Sequence, residues 1–404
     1  MSEFKERVGH GQSATLSVVE GDLLLEGSTV IPADRLVEVR GDVLVKRSSE
    51  VKGDLKAGSI RGDGDLEVRG NLETGDIDFR NGASLEVGGN LKSGDADVPH
   101  TLRVAGTTAT GDIRVGGTAL FSGAANTRDV RVGGTLKAMA DLKADDVNVG
   151  GVLEAKALSC HDVKVGGTLS ADSLDADDVQ VGGTLKVAGE IKMEDLVVGG
   201  TVDLGSGSIQ DAHVGSALRA TGELRFEDVD VGGHLVLGSG KGQTASIGGF
   251  LEVSKDLSLE DELTVGGRAK VGGTVRADSV SVGGELEAQS LTAQSKLAVG
   301  HSLATSQGAK ADEVEIGNNG SVSGPLVGQE VRVKHGSTTD DIYAGSLWLG
   351  DDCSVRNIYA ERAEVGRGCR VSGKFQYTEA IELGKDVRLA SQPEKVTTLP
   401  SPPL

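Results

Sequence analysis

Aromatic residues are nearly missing from this chain: one Trp, three Tyr and six Phe in 404 residues. A β-sandwich, or an enzyme built around a carved pocket, ordinarily uses more aromatic bulk. Cysteine is scarce as well, at three residues, which argues against a disulfide framework and for a reducing compartment, the cytoplasm. No run approaches the ~20 apolar residues of a membrane span. The first 13 residues lack the apolar stretch of a signal peptide. Basic charge is in deficit, with 41 Lys and Arg against 61 Asp and Glu and a net charge of −20, so nucleic acid is not an expected partner.

Glycine and repetition take the place of what is absent. Gly supplies 61 residues, about twice the usual share. Between residues 112 and 317 a phrase close to Asp-Val-x-Val-Gly-Gly-Thr-Leu-x-Ala recurs. Its first glycines are Gly116, Gly133, Gly150, Gly166, Gly182, Gly199, Gly215, Gly232, Gly248, Gly266, Gly283, Gly300 and Gly317, in steps of 16, 17 or 18 residues. The residue before each is Val or Ile without exception. A period of this strictness marks a repeat architecture.

The apolar positions alternate, as on a strand with one buried face. Around Gly166 the inward set is Val163, Val165, Leu169, Ala171 and Leu174, while Lys164 and Ser170 face out. Each unit holds three such apolar pairs, the third exemplified by Leu158 and Cys160, separated by turn-forming Gly and Asp. A helical repeat fails, because two glycines per unit would cost roughly 2 kcal/mol relative to Ala and the apolar spacing is two. One coil cannot bury its own apolar face, but stacked coils can. The expected fold is therefore all-β: a single-stranded, three-sided β-helix, or β-solenoid, of about 16–17 residues per coil. About 22 coils stacked at ~4.8 Å predict a rod of roughly 100 Å.

Five segments follow from the phrasing. Residues 1–13 form a polar N-terminal segment, expected to be disordered or capping. Phe4, Lys5 and Arg7 offer at most a weak membrane toe-hold there. Residues 14–111 read as irregular solenoid coils interrupted by small loops. They carry Gly21-Asp22, Gly41-Asp42, Gly53-Asp54, Gly70-Asn71 and Gly89-Asn90, with Pro32 and Pro99 expected at corners. The two Arg-Gly-Asp tripeptides, Arg40–Asp42 and Arg61–Asp63, are what chance provides in a Gly-Asp-rich turn repeat. Residues 112–317 are the regular solenoid. Residues 318–389 continue it in another dialect, where Ile342-Tyr343-Ala344 and Cys353-Ser354-Val355 return as Ile358-Tyr359-Ala360 and Cys369-Arg370-Val371. Residues 390–404 read as a disordered Pro-rich tail.

The chemistry-bearing residues assemble no active site. Asp112, Asp129, Asp146, Asp162, Asp178, Asp195, Asp211 and Asp228 recur four residues before each origin, so stacking aligns them along one edge. That edge either binds cations or consists of corner caps accepting backbone N–H groups. The caps are favoured, since no calcium-binding repeat signature is present, with Arg131 and Lys164 partly neutralising their rows. Cys353 and Cys369 lie one coil apart and read as a small-residue ladder rather than a metal site. Cys160 reads as core packing, in the position of Ala176 and Ala293. The histidines share no coil position; His234 and His301 are read at the outward site after Gly-Gly, four coils apart. No catalytic, cofactor-binding or metal residue is assigned. Near-constant coil lengths leave no loops to wall the cleft of a carbohydrate-cleaving β-helix. A six-residue acyltransferase period is absent, and the Gly-Gly pairs precede strands rather than the helices of nucleotide sites.

Residues 318–389 carry a more particular likeness. Val322-Ser323-Gly324, Ile342 to Val355, Ile358 to Val371 and the following Ser372-Gly373 resemble the bactofilins, a family of polymer-forming cytoskeletal proteins. A short Pro-rich tail fits as well. The resemblance implies a right-handed, three-sided β-helix that assembles end to end without nucleotide. It implies a scaffold for other proteins or for membrane-associated proteins. The resulting expectation is a non-enzymatic, cytoplasmic filament-forming protein whose main partner is itself. The alternative is a monomeric spacer or protein-binding rod. Exposed strand edges template further pairing, so the joint is sought at the ends. Phe375 and Tyr377, two apart on one strand face, are expected to meet Leu16 and Val18 of the next molecule.

Overall fold

A computed structural model describes residues 6–403. No helix occurs among them; the regular structure is entirely β. The chain divides into two compact units, Met1–Leu204 and Gly205–Leu404. The division falls inside the regular repeat, not where the phrasing changes. In each unit, strands pair in parallel with their equivalents one repeat away, the pattern of a β-solenoid.

In the first unit Val147, Val163, Val179 and Leu196 form one row, and Val149, Val165, Val181 and Val198 a second. Leu153, Leu169 and Leu185 form a third, and Leu158, Leu174 and Ile191 a fourth. These rows line the three sides of the coil, and no member is more than 3 % exposed. The intervening Lys164 and Gln180 are exposed. Burial of each Val or Leu is worth about 1.5–3 kcal/mol relative to exposure, a gain that only the stack provides.

The stack also explains the glycine pairs. A Cβ on Gly166 would lie 2.2 Å from the Gly150 carbonyl oxygen, and one on Gly182 would lie 2.3 Å from that of Gly166. Neither glycine has a left-handed backbone. Closeness between coils, not an unusual φ, demands Gly here.

Residues 14–111 coil continuously, and their uneven spacing comes from corners of different length. Leu66 pairs with Ser49 on one side and with Leu85 on the other. The second step is longer because Asn81 and Gly82 form an extra turn, with φ of 54° and 77°. Pro99 lies in a bend after Val98, as expected, whereas Pro32 is the last residue of the strand Thr29–Pro32.

Both ends of the chain carry paired strands among the described residues. The segment 1–13 already contributes a strand: Glu6–Val8 pairs with Leu23–Leu25, and Val8 is buried. Val8 in register with Leu25 covers the lumen, which a polar average over the segment conceals. Phe4 and Lys5 lie outside the described residues, and Arg7 is engaged with Glu26 at 2.9 Å. In the tail, Glu394–Lys395 pairs with Gln376–Tyr377 rather than leaving the coils. The preceding residues follow the strand path, with the Ala390 N–H donated to the Val371 carbonyl.

The second unit shows what the change of phrasing does. Asn319, Gly336, Asp352, Gly368 and Asp386 occupy one corner of successive coils, each with φ between 53° and 70°. Asn, Asp and Gly are the residues that accept this left-handed backbone. Their alternation has a steric cause. The Asn319 Oδ1 lies 2.4 Å from where a Cβ on Gly336 would stand, and the Asp352 Oδ1 2.2 Å from that of Gly368. One residue along, Ser337, Cys353 and Cys369 turn inward and are at most 1 % exposed. Each donates to a corner carbonyl of an earlier coil: Ser337 to Gly317 at 2.9 Å, Cys353 to Lys334 and Cys369 to Gly350, both at 3.1 Å.

Candidate assembly interface

Phe375 and Tyr377 do share a strand face, and that face is the lumen. Leu326, Ile342, Ile358 and Phe375 form one row, with Phe375 only 2 % exposed. Tyr377 continues the row of Ala344 and Ala360 and is half-buried. Phe375 is therefore buried in the lumen of its own coil while the tail residues lie over it. In the first unit Leu16 is half-buried beside Pro32. Val18 is 48 % exposed, but it heads the outward row of Glu38 and Lys56, while Val19 is the inward residue. Leu16 and Val18 thus do not form one apolar face.

A different set of apolar residues surfaces in the coil of Phe375. Leu347 and Ala363, then Leu349 and Val365, then Val355 and Val371 are buried at 5 % exposure or less. Their successors are Ile381, Leu383 and Leu389. Ile381 and Leu389 are half-exposed, and Leu383 is 43 % exposed. These are lumen positions over which, among the described residues, no further strand pairs. Their exposure depends on position in the stack, so their residue types gave no signal.

The polar edge of the same coil is only partly covered. Among the described residues, Phe375–Leu383 pairs with Ser354–Val365 on one side and, over two residues, with Glu394–Lys395 on the other. The Val396 N–H donates to the Tyr377 carbonyl at 2.8 Å, and the Gln376 Nε2 donates to the Glu394 carboxylate at 2.8 Å. Lys395 Nζ reaches the Glu379 carbonyl at 3.2 Å.

The aspartate row is a ladder in both units. Asp146, Asp162, Asp178 and Asp195 are in register in the first, and Asp211 and Asp228 in the second. Corner capping occurs where glycine precedes the row position. Asp76 accepts the Asp95 N–H at 3.0 Å, and Asp95 accepts that of Asp112 at 2.9 Å, beneath Gly94 and Gly111 respectively. Beyond Gly111 the preceding residues are Arg128, Asp145, His161 and Asp177, whose Cβ atoms occupy that space. There the caps give way to side-chain partners: Arg131 binds Asp129 at 2.9 Å, and Thr244 donates to Asp228. The same geometry accounts for the Gly-Asp and Gly-Asn pairs, since Asp54 caps Asn71 and Asn71 caps Asn90, beneath Gly70 and Gly89. Arg61 of one Arg-Gly-Asp pairs with Asp42 of the other.

Among the described residues no group of three or more His, Cys, Asp or Glu is arranged to hold a metal ion. Cys160 is half-buried, and burial with Asp146, Asp162, Asp175 and Asp177 around it pushes its thiol up to about 12. His234 packs on Phe250 with ring centroids 5.1 Å apart. The outward row runs Phe250, Arg268, Glu285, Ser302, which places His301 at the second-glycine position rather than at the outward site of His234. On another face Tyr343 stacks on Tyr359 at 4.8 Å. No family model, no curated protein and no solved structure matches the chain.

Proposed function

We propose that this protein is a non-enzymatic structural element, a nucleotide-independent filament-forming cytoskeletal scaffold of the cytoplasm. In this reading its main partner is a second copy, stacked coil on coil, with protein or membrane-associated clients along its sides. The observation that carries the proposal is the emergence of the buried rows at Ile381, Leu383 and Leu389. An apolar lumen position without a coil over it is matched best by another coil, because only that continues both the row and the strand ladder. A contact that repeats without closing yields a filament. Three free cysteines suit a reducing compartment, and the net charge of −20 disfavours nucleic acid.

One observation favours the monomeric spacer or protein-binding rod instead: Glu394–Lys395 lies on the edge that an incoming coil would use. Negative-stain microscopy of the purified protein separates the two. Filaments are expected for the native chain and not for Leu383→Asp, with the β-signal in circular dichroism unchanged. Native protein that stays monomeric at every concentration would establish the spacer.

A further inference from the structure

We propose that residues 390–396 act as a detachable guard that must leave its seat before a second copy can pair with the coil of Phe375. The inference rests on the filament reading and adds its regulation. The guard pairs in parallel, with Glu394 over Gln376 and Lys395 over Tyr377. That is the direction and register in which every other coil stacks, so guard and incoming coil compete for the same backbone groups. In this register Pro393 falls over Phe375, which is why Phe375 is covered while Leu383, beyond the guard, is open.

The seat is slight. Two residues pair on a strand of nine, and the side-chain bonds of Glu394 and Lys395 are exposed. The guard itself is a poor template for further pairing. Pro393 lies within it and Pro400, Pro402 and Pro403 follow, and proline has no N–H to give a ladder. A seated guard therefore ends strand addition on this side, and a displaced one restores the Gln376 and Tyr377 edge.

The test uses the full chain. Val396→Pro removes the N–H given to Tyr377 and loosens the seat. Gln376→Cys with Glu394→Cys allows a disulfide between paired strand positions, whose separation suits one, and locks the seat until reductant is added. Wild type with and without reductant controls for the native thiols. The critical concentration for assembly, read by sedimentation, should fall at least roughly tenfold in Val396→Pro and rise at least roughly tenfold in the oxidised double variant, returning on reduction. In dilute wild type the Val396 amide should exchange with solvent at least roughly tenfold faster than the Arg388 amide. Slow Val396 exchange, or unchanged critical concentrations, would overturn the guard and leave the filament reading standing. Fast Val396 exchange with no assembly of any variant at any concentration would overturn both.

Discussion

The Asp95 carboxylate accepts the Asp112 backbone N–H at 2.9 Å, in space left free by Gly111. A Cβ on Gly111 would lie 2.3 Å from that oxygen. Gly111→Ala should therefore cost about 1–3 kcal/mol by ejecting the cap. In the Asp95→Ala background the same substitution should cost less, since the clashing oxygen is gone. A double-mutant cycle in urea measures the coupling, expected at about 0.5 kcal/mol or more. An additive cycle would refute the shared-space account.

The same carboxylate sets a pH dependence. The Asp112 N–H, with Arg128 in support, holds Asp95 below the ordinary value of 3.8. A depressed folded-state pKa gives stability that is full above 3.8 and lost as pH falls through the lower folded value. Asp95→Asn keeps the cap, as Asn71 and Asn90 do in the neighbouring row, and removes the titration. The gap in melting temperature between wild type and Asp95→Asn should shrink steadily below pH 4. A constant gap would mean the carboxylate's charge contributes nothing.

Much of this architecture was legible in the sequence because alternation and period are local properties. Val163, Val165, Leu169, Ala171 and Leu174 point inward as their spacing requires, and the Gly-Gly pairs sit where coils approach most closely. What escaped depends on neighbours in space. Phe375 reads as an aromatic near an end, yet Ile358 and the register of the tail make it a core residue. Ile381, Leu383 and Leu389 continue buried rows, yet among the described residues no further strand pairs over them. The corner caps were expected along the whole aspartate row, but whether each carboxylate can swing beneath the next coil is decided by one preceding glycine. His301 was misplaced by one position because the phrase lacks its second glycine there.

Lumen and surface should respond oppositely to charge. Val181 is 1 % exposed, and Val181→Asp would bury an unpaired carboxylate at a cost of several kcal/mol. Gln180 is exposed, and Gln180→Asp should change stability by less than about 0.5 kcal/mol. Equal shifts in urea midpoint would contradict the inward and outward assignment.

Thr108 offers a substitution in the other direction. It is 2 % exposed, lies between Leu91 and Ala125 in a lumen row, and its hydroxyl has no hydrogen-bond partner. Thr108→Val keeps the β-branched shape and removes the orphan polar group, which costs about 1–3 kcal/mol when buried. The variant should melt higher than wild type. A lower melting point would mean that the hydroxyl is satisfied after all.

The aspartate ladder can be tested with salt. Stacked carboxylates about 4.8 Å apart repel by about 1 kcal/mol in water-like surroundings. Monovalent salt should raise the melting temperature by screening, and millimolar calcium should add nothing beyond its ionic strength. A saturable calcium effect would instead make the Asp146–Asp195 edge a cation site.

Val149, Val165 and Val181 follow one another at intervals of 16 residues, and the pairing across each interval is the same in kind. Excision of residues 166–181 would set Gly182 where Gly166 now lies, over Gly150, with every row closed again. Loss of a single residue from within a strand of that span would send the side chains beyond it to the wrong face. A whole coil is therefore a step in length that keeps every row, whereas a change of one or two residues keeps them only at a corner, as at Asn81 and Gly82. Unequal recombination between such repeats would produce alleles that differ by whole coils.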